Sequence, residues 1–226
     1  DVGIAHDGDA DRAIFFDENG EYVEGDASLA ALAAEALEPG DATVAAVNVS
    51  QRLVDVCDEV GADLELTPIG ATNIITRIEE LQAEGRTVPI SGEGNGGIFF
   101  PNYRLVRDGA FIAAKFLELL ATTGETPSEV VAPYTAYENV RRNLSYDEES
   151  ELSAMLDAAG AYAAEADVEA NTVDGYRLDY GDAWVLVRPS GTEPKVRIYA
   201  EARDRERAVE LVDAVETELA AALDEN

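Results

Sequence analysis

Between residues 26 and 91 helical and extended patterns alternate, and this alternation restricts the fold more than any other feature of the chain. Residues 26–38 place Leu29, Leu32, Ala33, Ala36 and Leu37 on one side of a helix that Pro39-Gly40 stops. Residues 43–47 read as a buried strand. Ser50 caps a helix running to Val60, where Gly61 ends it. Residues 64–67 form a strand, Pro68-Ile69-Gly70 a turn, and 72–83 a helix with Ile74, Ile75, Ile78 and Leu81 on its apolar face. Residues 88–91 give one more strand. Strands and helices of these lengths in turn predict an α/β layer structure with a parallel-type sheet. Upstream, residues 2–5 and 13–17 read as strands, and Asn19-Gly20 signals a hairpin returning at Tyr22-Val23.

The plan changes after residue 123. Asp108 caps a helix over 110–122, and residues 124–133, with Pro127 and Pro133, read as a linker. Strands over 137–144, 176–180, 183–187 and 196–200 then lie between helices over 147–159 and 203–223. Ala208, Leu211, Val212, Val215 and Leu219 share the inner face of the last helix. Strands bracketed by helices predict a small α+β domain with an antiparallel sheet.

Charge narrows the function. The 226 residues hold 47 acidic and 16 basic side chains, for a net charge of −31, and the acids are spread along the chain rather than gathered in a tail. Such a surface fits a halophilic, cytoplasmic protein whose self-repulsion is screened by salt, and the alternative is an acidic mesophilic protein. No basic face exists to release counterions from nucleic acid. No run reaches the ~20 apolar residues of a membrane span. The single cysteine, Cys57, sits in an apolar helical pattern with Leu53, Val54 and Val60 and reads as a buried, inert thiol. The chain starts on a stretch, Asp1-Val2-Gly3-Ile4-Ala5, that reads as the middle of a buried strand, so a piece of something longer is expected.

Three loops offer chemistry. Asp7-Gly8-Asp9-Ala10-Asp11-Arg12 places three carboxylates at alternate positions, a hard-oxygen set suited to Mg²⁺ or Ca²⁺. An EF-hand would use Asp7, Asp9, Asp11 and Glu18, but Arg12 stands where that loop needs glycine, and the flanks read as strands. A solvated acidic turn is the plain alternative. In Gly92-Glu93-Gly94-Asn95-Gly96-Gly97, the glycines leave Glu93 and Asn95 as the side chains, a carboxylate and an amide suited to sugar hydroxyls. A simple glycine-rich hairpin would look the same. In the stretch from Arg188 to Arg197, Pro189 and Pro194 interrupt regular structure and Ser190 and Thr192 offer hydroxyls. Gly191 allows positive φ and close approach, and Arg188 and Arg197 supply phosphate-matching forks. The alternative is an ordinary hairpin with solvated charges.

In this order and at this spacing the three loops resemble the α-D-phosphohexomutase family, and the resemblance covers essentially the whole chain. It implies the end of a second mutase domain with the metal loop (1–25), a third with the sugar-binding loop (26–126) and a fourth with the phosphate-binding loop (127–226). It implies Mg²⁺ on Asp7, Asp9 and Asp11, and a supporting catalytic role for Arg12. It also implies a hexose phosphate held by Glu93, Asn95, Arg188, Ser190, Gly191, Thr192 and Arg197. Thr67-Pro68-Ile69-Gly70 and Arg107-Asp108-Gly109 fall where similar segments are expected. The family's phosphoserine lies in a Ser-His-Asn-Pro type loop; the one histidine here is His6, beside the metal loop. The implied activity is transfer of a phosphoryl group between the 1- and 6-positions of a hexose phosphate through a bisphosphate, with this chain inactive alone. A non-catalytic sugar-phosphate-binding protein is the second reading. Asn95 and Gly97 stand where many members have Ser and His, and the second loop is closer to an archaeal branch of the family.

Overall fold

The computed structural model describes residues 1–224, and the chain divides into two units, Asp1–Ala136 and the remainder from Tyr137. In the first, β1 (Gly3–His6), β2 (Ala13–Phe16) and β3 (Tyr22–Val23) make an antiparallel three-stranded sheet. Its turn is built as the residue types require. The Asp17 carboxylate accepts the amides of Asn19 and Glu21, both at 2.8 Å, and Gly20 takes φ +84°. β1 is not the buried strand expected at the start of the chain: it lies at the sheet edge, with Ile4 exposed.

The alternating region forms a second sheet of order β5-β4-β6-β7, from β4 (Ala42–Ala46), β5 (Asp63–Thr67), β6 (Ser91–Glu93) and β7 (Gly97–Phe99). β5 and β6 run parallel to β4, and β7 returns antiparallel to β6. Around it lie α1 (Gly25–Ala36), α2 (Gln51–Val60), α3 (Ala71–Ala83) and α4 (Gly109–Thr123). β4 divides its side chains as a two-sided strand must: Ala42, Val44 and Ala46 pack with Ile74, Ile78 and Leu81 of α3, while Ala45 joins α1, α2 and α4. Every residue of β4 is buried.

Three stretches of the first unit depart from the sequence pattern. The strand placed at 88–91 begins only at Ser91, because hydroxyls take over backbone partners: Thr43 Oγ1 donates to Ile90 O (2.8 Å), and Val44 N donates to Ser91 Oγ (3.0 Å). α1 is buried on nearly every side from Ala27 to Ala33 rather than on one face; its alanines let α2, α4 and the next helix approach closely. Residues 124–133 are not a linker. They hold α5 (Pro127–Val131) and the start of a 3₁₀ turn (Ala132–Tyr134), with Val130 and Val131 buried in the same core as α1. Thr126 N donates to Glu129 Oε2 at 2.9 Å, and Pro127 opens α5.

The second unit is a five-stranded antiparallel sheet of order β8-β12-β11-β10-β9. Its strands are β8 (Glu138–Ser145), β9 (Ala170–Asn171), β10 (Tyr176–Asp179), β11 (Ala183–Pro189) and β12 (Lys195–Ala202). Val140, Val185, Val187, Val196, Ile198 and Ala200 pack with α6 (Glu149–Glu165) and α7 (Arg205–Asp224). β11 continues through Pro189, which pairs with Val196, so the strand tolerates the proline that was expected to end it. The sheet's other face carries Trp184, whose indole N–H donates to Glu201 (3.2 Å) beneath the Arg177 guanidinium, 4.3 Å from the ring centroid. No helix among the described residues is long and apolar enough to cross a membrane.

Ser50 is an N-cap as its position suggested, accepting Arg52 N at 3.2 Å, and Gly61 closes α2 at φ +81°. Ser50→Ala is expected to destabilise the first unit by about 1 kcal/mol. The check is a lower denaturant midpoint at unchanged slope.

Candidate functional site

The aspartate loop joins β1 to β2. Ala10 N donates to Asp7 O (3.1 Å), closing a turn that leaves Ala10 at φ +56°, a left-handed conformation uncommon for a residue with a side chain. The loop is held from two sides. His6 Nδ1–H donates to Arg12 O at 2.8 Å, and Gly109 N, the first residue of α4, donates to Ala10 O at 3.1 Å. A Cβ on Gly109 would lie 2.6 Å from both Arg12 O and His6 Nδ1 and 2.7 Å from Ala10 O, so only glycine fits there.

Within this frame Asp7, Asp9 and Asp11 each present a carboxylate oxygen, all within 4.8 Å of one another. Arg12 bonds Asp7 through Nε (2.5 Å) and through its amide (3.3 Å). Partial burial works to raise the Asp7 carboxyl, but these bonds and the guanidinium charge outweigh it and hold the group below its ordinary range. Asp9 is exposed. Asp11 Oδ2 accepts from Arg107 Nη2, while Oδ1 is buried and accepts no hydrogen bond. A buried carboxylate oxygen without a donor beside two further carboxylates fits a hard divalent cation such as Mg²⁺.

The glycine-rich loop is a hairpin turn rather than an open loop beyond a strand end: Glu93 pairs with Gly97, and Asn95 Oδ1 accepts Gly97 N at 3.0 Å. Its glycines are there for packing. Gly96, at φ +87°, lies so close to β2 that a Cβ would be 2.4 Å from Ala13 O, and Gly96 O accepts Ala13 N at 3.2 Å. The hairpin is thereby fastened to the strand that leaves the aspartate loop. Glu93 accepts from Arg107 Nη1 at 2.7 Å. One guanidinium therefore joins a residue of each loop. In the sequence Arg107 stands out only as part of the segment Arg107-Asp108-Gly109, since nothing in a linear order links it to positions 14 and 96 residues away. The departure at Gly97 also has its reason: a Cβ there would fall 2.7 Å from Arg107 Cδ.

In the second unit, Arg188 and Arg197 are direct cross-strand partners at the mouth of the β11–β12 hairpin. Ser190 N donates to Lys195 O (2.8 Å), leaving residues 190–194 as the turn. Ser190 is partly buried, and Gly191 and Thr192 are exposed. Gly191 does not use positive φ, and no atom lies within 4 Å of where its Cβ would be, so the open space around it, not backbone strain, distinguishes it. Both arginines have carboxylate partners: Asp174 lies 3.0 Å from Arg188 Nε, and Glu193 lies 2.7 Å from Arg197 Nη2 and 3.0 Å from Lys195 Nζ. The hydrogen bond and charge of Lys195, with Arg197 behind them, hold the Glu193 carboxyl low. An incoming phosphate would compete with Glu193 for Arg197 and Lys195.

Cys57 is buried, and burial, with Asp58 and Asp63 adding to it, pushes its thiol up to about 12. A thiol reagent at pH 8 is expected to leave the folded protein unlabelled and to label it once denatured. Labelling of the folded chain at the rate of a free thiol would contradict this burial.

Residues 24–137 match the phosphoglucomutase/phosphomannomutase alpha/beta/alpha domain III, and residues 143–218 match the phosphoglucomutase/phosphomannomutase C-terminal domain. The chain belongs to the phosphoglucomutase/phosphomannomutase family. It is 36% identical over 215 residues to a phosphoglucomutase/phosphomannomutase of Thermococcus kodakarensis, covering 94% of this chain and 46% of that protein. It is 38% identical over 215 residues, with the same coverage, to a probable phosphoglucosamine mutase of Methanopyrus kandleri. A crystal structure of a phosphoglucomutase/phosphomannomutase family protein from Burkholderia thailandensis superposes with a TM-score of 0.81 at 27% identity, covering 98% of this chain and 47% of that one. The chain thus spans about half the length of the relatives it matches. Both the family that the three loops resemble and the mixed α/β architecture expected from the order of strands and helices are borne out.

Proposed function

We propose that this chain forms the cation-, sugar- and phosphate-holding portion of a cytoplasmic phosphohexomutase. The activity is movement of a phosphoryl group between the 1- and 6-positions of a hexose phosphate. The observation that carries this reading is the Arg107 link, which fastens the aspartate loop to the Glu93 hairpin in a chain of the mutase family.

Asp7, Asp9 and Asp11 would hold Mg²⁺, which when bound supplies positive charge against the phosphoryl oxygens. Arg12, already part-exposed on Asp7, adds a second positive charge at the same edge. Glu93 accepts from sugar hydroxyls with the oxygen that Arg107 leaves free, and the Asn95 amide donates to them. Arg188, Ser190, Gly191, Thr192 and Arg197 hold the phosphate that is not reacting, through guanidinium, hydroxyl and backbone N–H groups. A phosphoserine supplied from outside this sequence gives its phosphoryl to the free hydroxyl of the hexose monophosphate. The resulting bisphosphate turns over and returns its other phosphoryl to the serine.

Calorimetric titration of the intact native protein with glucose 1-phosphate tests the binding half of the reading. Arg188→Ala removes charge-assisted hydrogen bonds and is expected to weaken affinity by about 10- to 100-fold. Equal affinity in wild type and variant would remove the β11–β12 turn from the site.

A further inference from the structure

Arg107 pairs at once with a carboxylate of the aspartate loop and with one of the glycine-rich hairpin. Its guanidinium holds Asp11 Oδ2 with Nη2 and Glu93 Oε2 with Nη1 at 2.7 Å. The three side chains are 19%, 25% and 12% exposed respectively, so the bonds are shielded from water on most sides. Two further features fix the arginine. It immediately precedes Asp108, whose carboxylate caps α4 by accepting Phe111 N at 3.1 Å and also pairs with Arg104. Its stem lies under Gly97, where a Cβ would sit 2.7 Å from Cδ and 2.9 Å from Nη1. The guanidinium is therefore built into its place from both the helix start and the hairpin.

The consequence for Asp11 is directional. With Oδ2 taken by Arg107, the carboxylate cannot rotate freely, and Oδ1 is left buried with no hydrogen-bond donor. The other nearby cation, Arg12 Nε, is 3.6 Å from Oδ1 and is committed to Asp7 at 2.5 Å. An oxygen kept dry and unsatisfied costs stability unless something fills the position. Asp7 and Asp9 bring their own oxygens to within 4.8 Å of it.

We propose that Arg107 is a positioning residue: it sets the cation-facing oxygen of Asp11 from the sugar-hairpin carboxylate Glu93. The inference rests on the reading of Asp7, Asp9 and Asp11 as a cation site and adds to it the group that orients that site. A carboxylate ligand held by a fixed hydrogen-bond donor binds its ion in one orientation without losing rotational freedom on binding. Because the same guanidinium holds Glu93, a sugar that draws Glu93 away and a cation that draws on Asp11 act on one rigid fork. The two ligands are thereby coupled, and each changes the affinity of the other by the same factor.

The sign of the effect separates this proposal from simple electrostatics. Arg107 is a positive charge next to a cation site, so repulsion alone predicts tighter binding when it is removed. Positioning predicts weaker binding. The test is Mn²⁺ binding to the intact native protein, followed by water-proton relaxation at a fixed high KCl concentration that screens the acidic surface. The Asp9→Asn variant defines the background of non-specific sites. Arg107→Met is expected to weaken the Asp9-dependent binding by about 10- to 100-fold. Arg107→Lys keeps the charge and a long stem but cannot make both bonds, and is expected to fall between wild type and Arg107→Met. Unchanged or tighter binding in folded Arg107→Met or Arg107→Lys overturns the proposal while leaving the cation site standing. Wild-type binding indistinguishable from that of Asp9→Asn overturns the cation site itself, and the positioning role with it.

Discussion

The Asp9→Asn variant of the intact native protein is expected to lose phosphohexomutase turnover by about a hundredfold or more while keeping its fold. The two halves of this expectation come from different facts. Among the described residues Asp9 makes no hydrogen bond or ion pair, and its side chain is exposed, so the isosteric amide removes no structural contact. Its charge lies in a loop that already holds Asp7 and Asp11, and losing one of three like charges does not destabilise the turn. On the proposed reading of the aspartate loop, what the substitution removes is a hard anionic ligand, and with it affinity for the cation that would offset charge at the phosphoryl group. The check pairs turnover at saturating Mg²⁺ with a thermal unfolding curve. Full activity in Asp9→Asn would remove the aspartate loop from the mechanism, and a large fall in melting temperature would show that the loop is structural instead.

The second large effect is expected at Gly109, which makes no contact with any ligand in this reading. Its missing Cβ leaves room for three atoms, Arg12 O, His6 Nδ1 and Ala10 O, all within 2.7 Å of where that carbon would be. Two of the three are backbone carbonyls of the aspartate loop and cannot swing aside. Gly109→Ala must push the loop off the start of α4 or lose the Gly109 N to Ala10 O bond, which is 3.1 Å long. Overpacking of this kind costs about 1–3 kcal/mol. Turnover and cation affinity should fall with it, because Ala10 is then released from its left-handed conformation and Asp9 and Asp11 lose their spacing. Gly8→Ala is the control within the same loop. No atom lies within 4 Å of its would-be Cβ and its φ is not positive, so it should leave stability and turnover near wild type. Equal effects at the two glycines would contradict the account of the loop as a structure braced by α4.

Local signals carried most of the elements. α2 lies where Ser50 and Gly61 put it, and α4 begins where Asp108 caps it, because a side-chain cap and a left-handed glycine are decided within a few residues. The errors arose where a local signal had a tertiary cause. Helix α6 was expected to stop at residue 159, yet it runs through Gly160 to Glu165. Gly160 is a packing glycine: a Cβ there would be 2.9 Å from the Tyr176 hydroxyl. Pro127 suggested a linker, although Thr126 and Glu129 already spelled a helix start around it. β9 is two residues long and has no pattern to find. In the candidate site, residue types and spacing exposed the three aspartates and the glycine-rich turn. Arg107 stayed hidden because its meaning lies in two contacts that only the folded chain makes.

The most direct test of the central claim is phosphoryl transfer itself, followed by phosphorus NMR. The intact native protein is given glucose 1-phosphate and a trace of glucose 1,6-bisphosphate, first with Mg²⁺, then after chelation, then with Mg²⁺ restored, and the other hexose 1-phosphates follow in turn. The account predicts that a 6-phosphate signal grows at the expense of the 1-phosphate for at least one hexose, stops on chelation and resumes on restoration. Binding without conversion of any hexose 1-phosphate, under conditions where the protein is folded and metal-loaded, would contradict it and leave a sugar-phosphate-binding protein in its place.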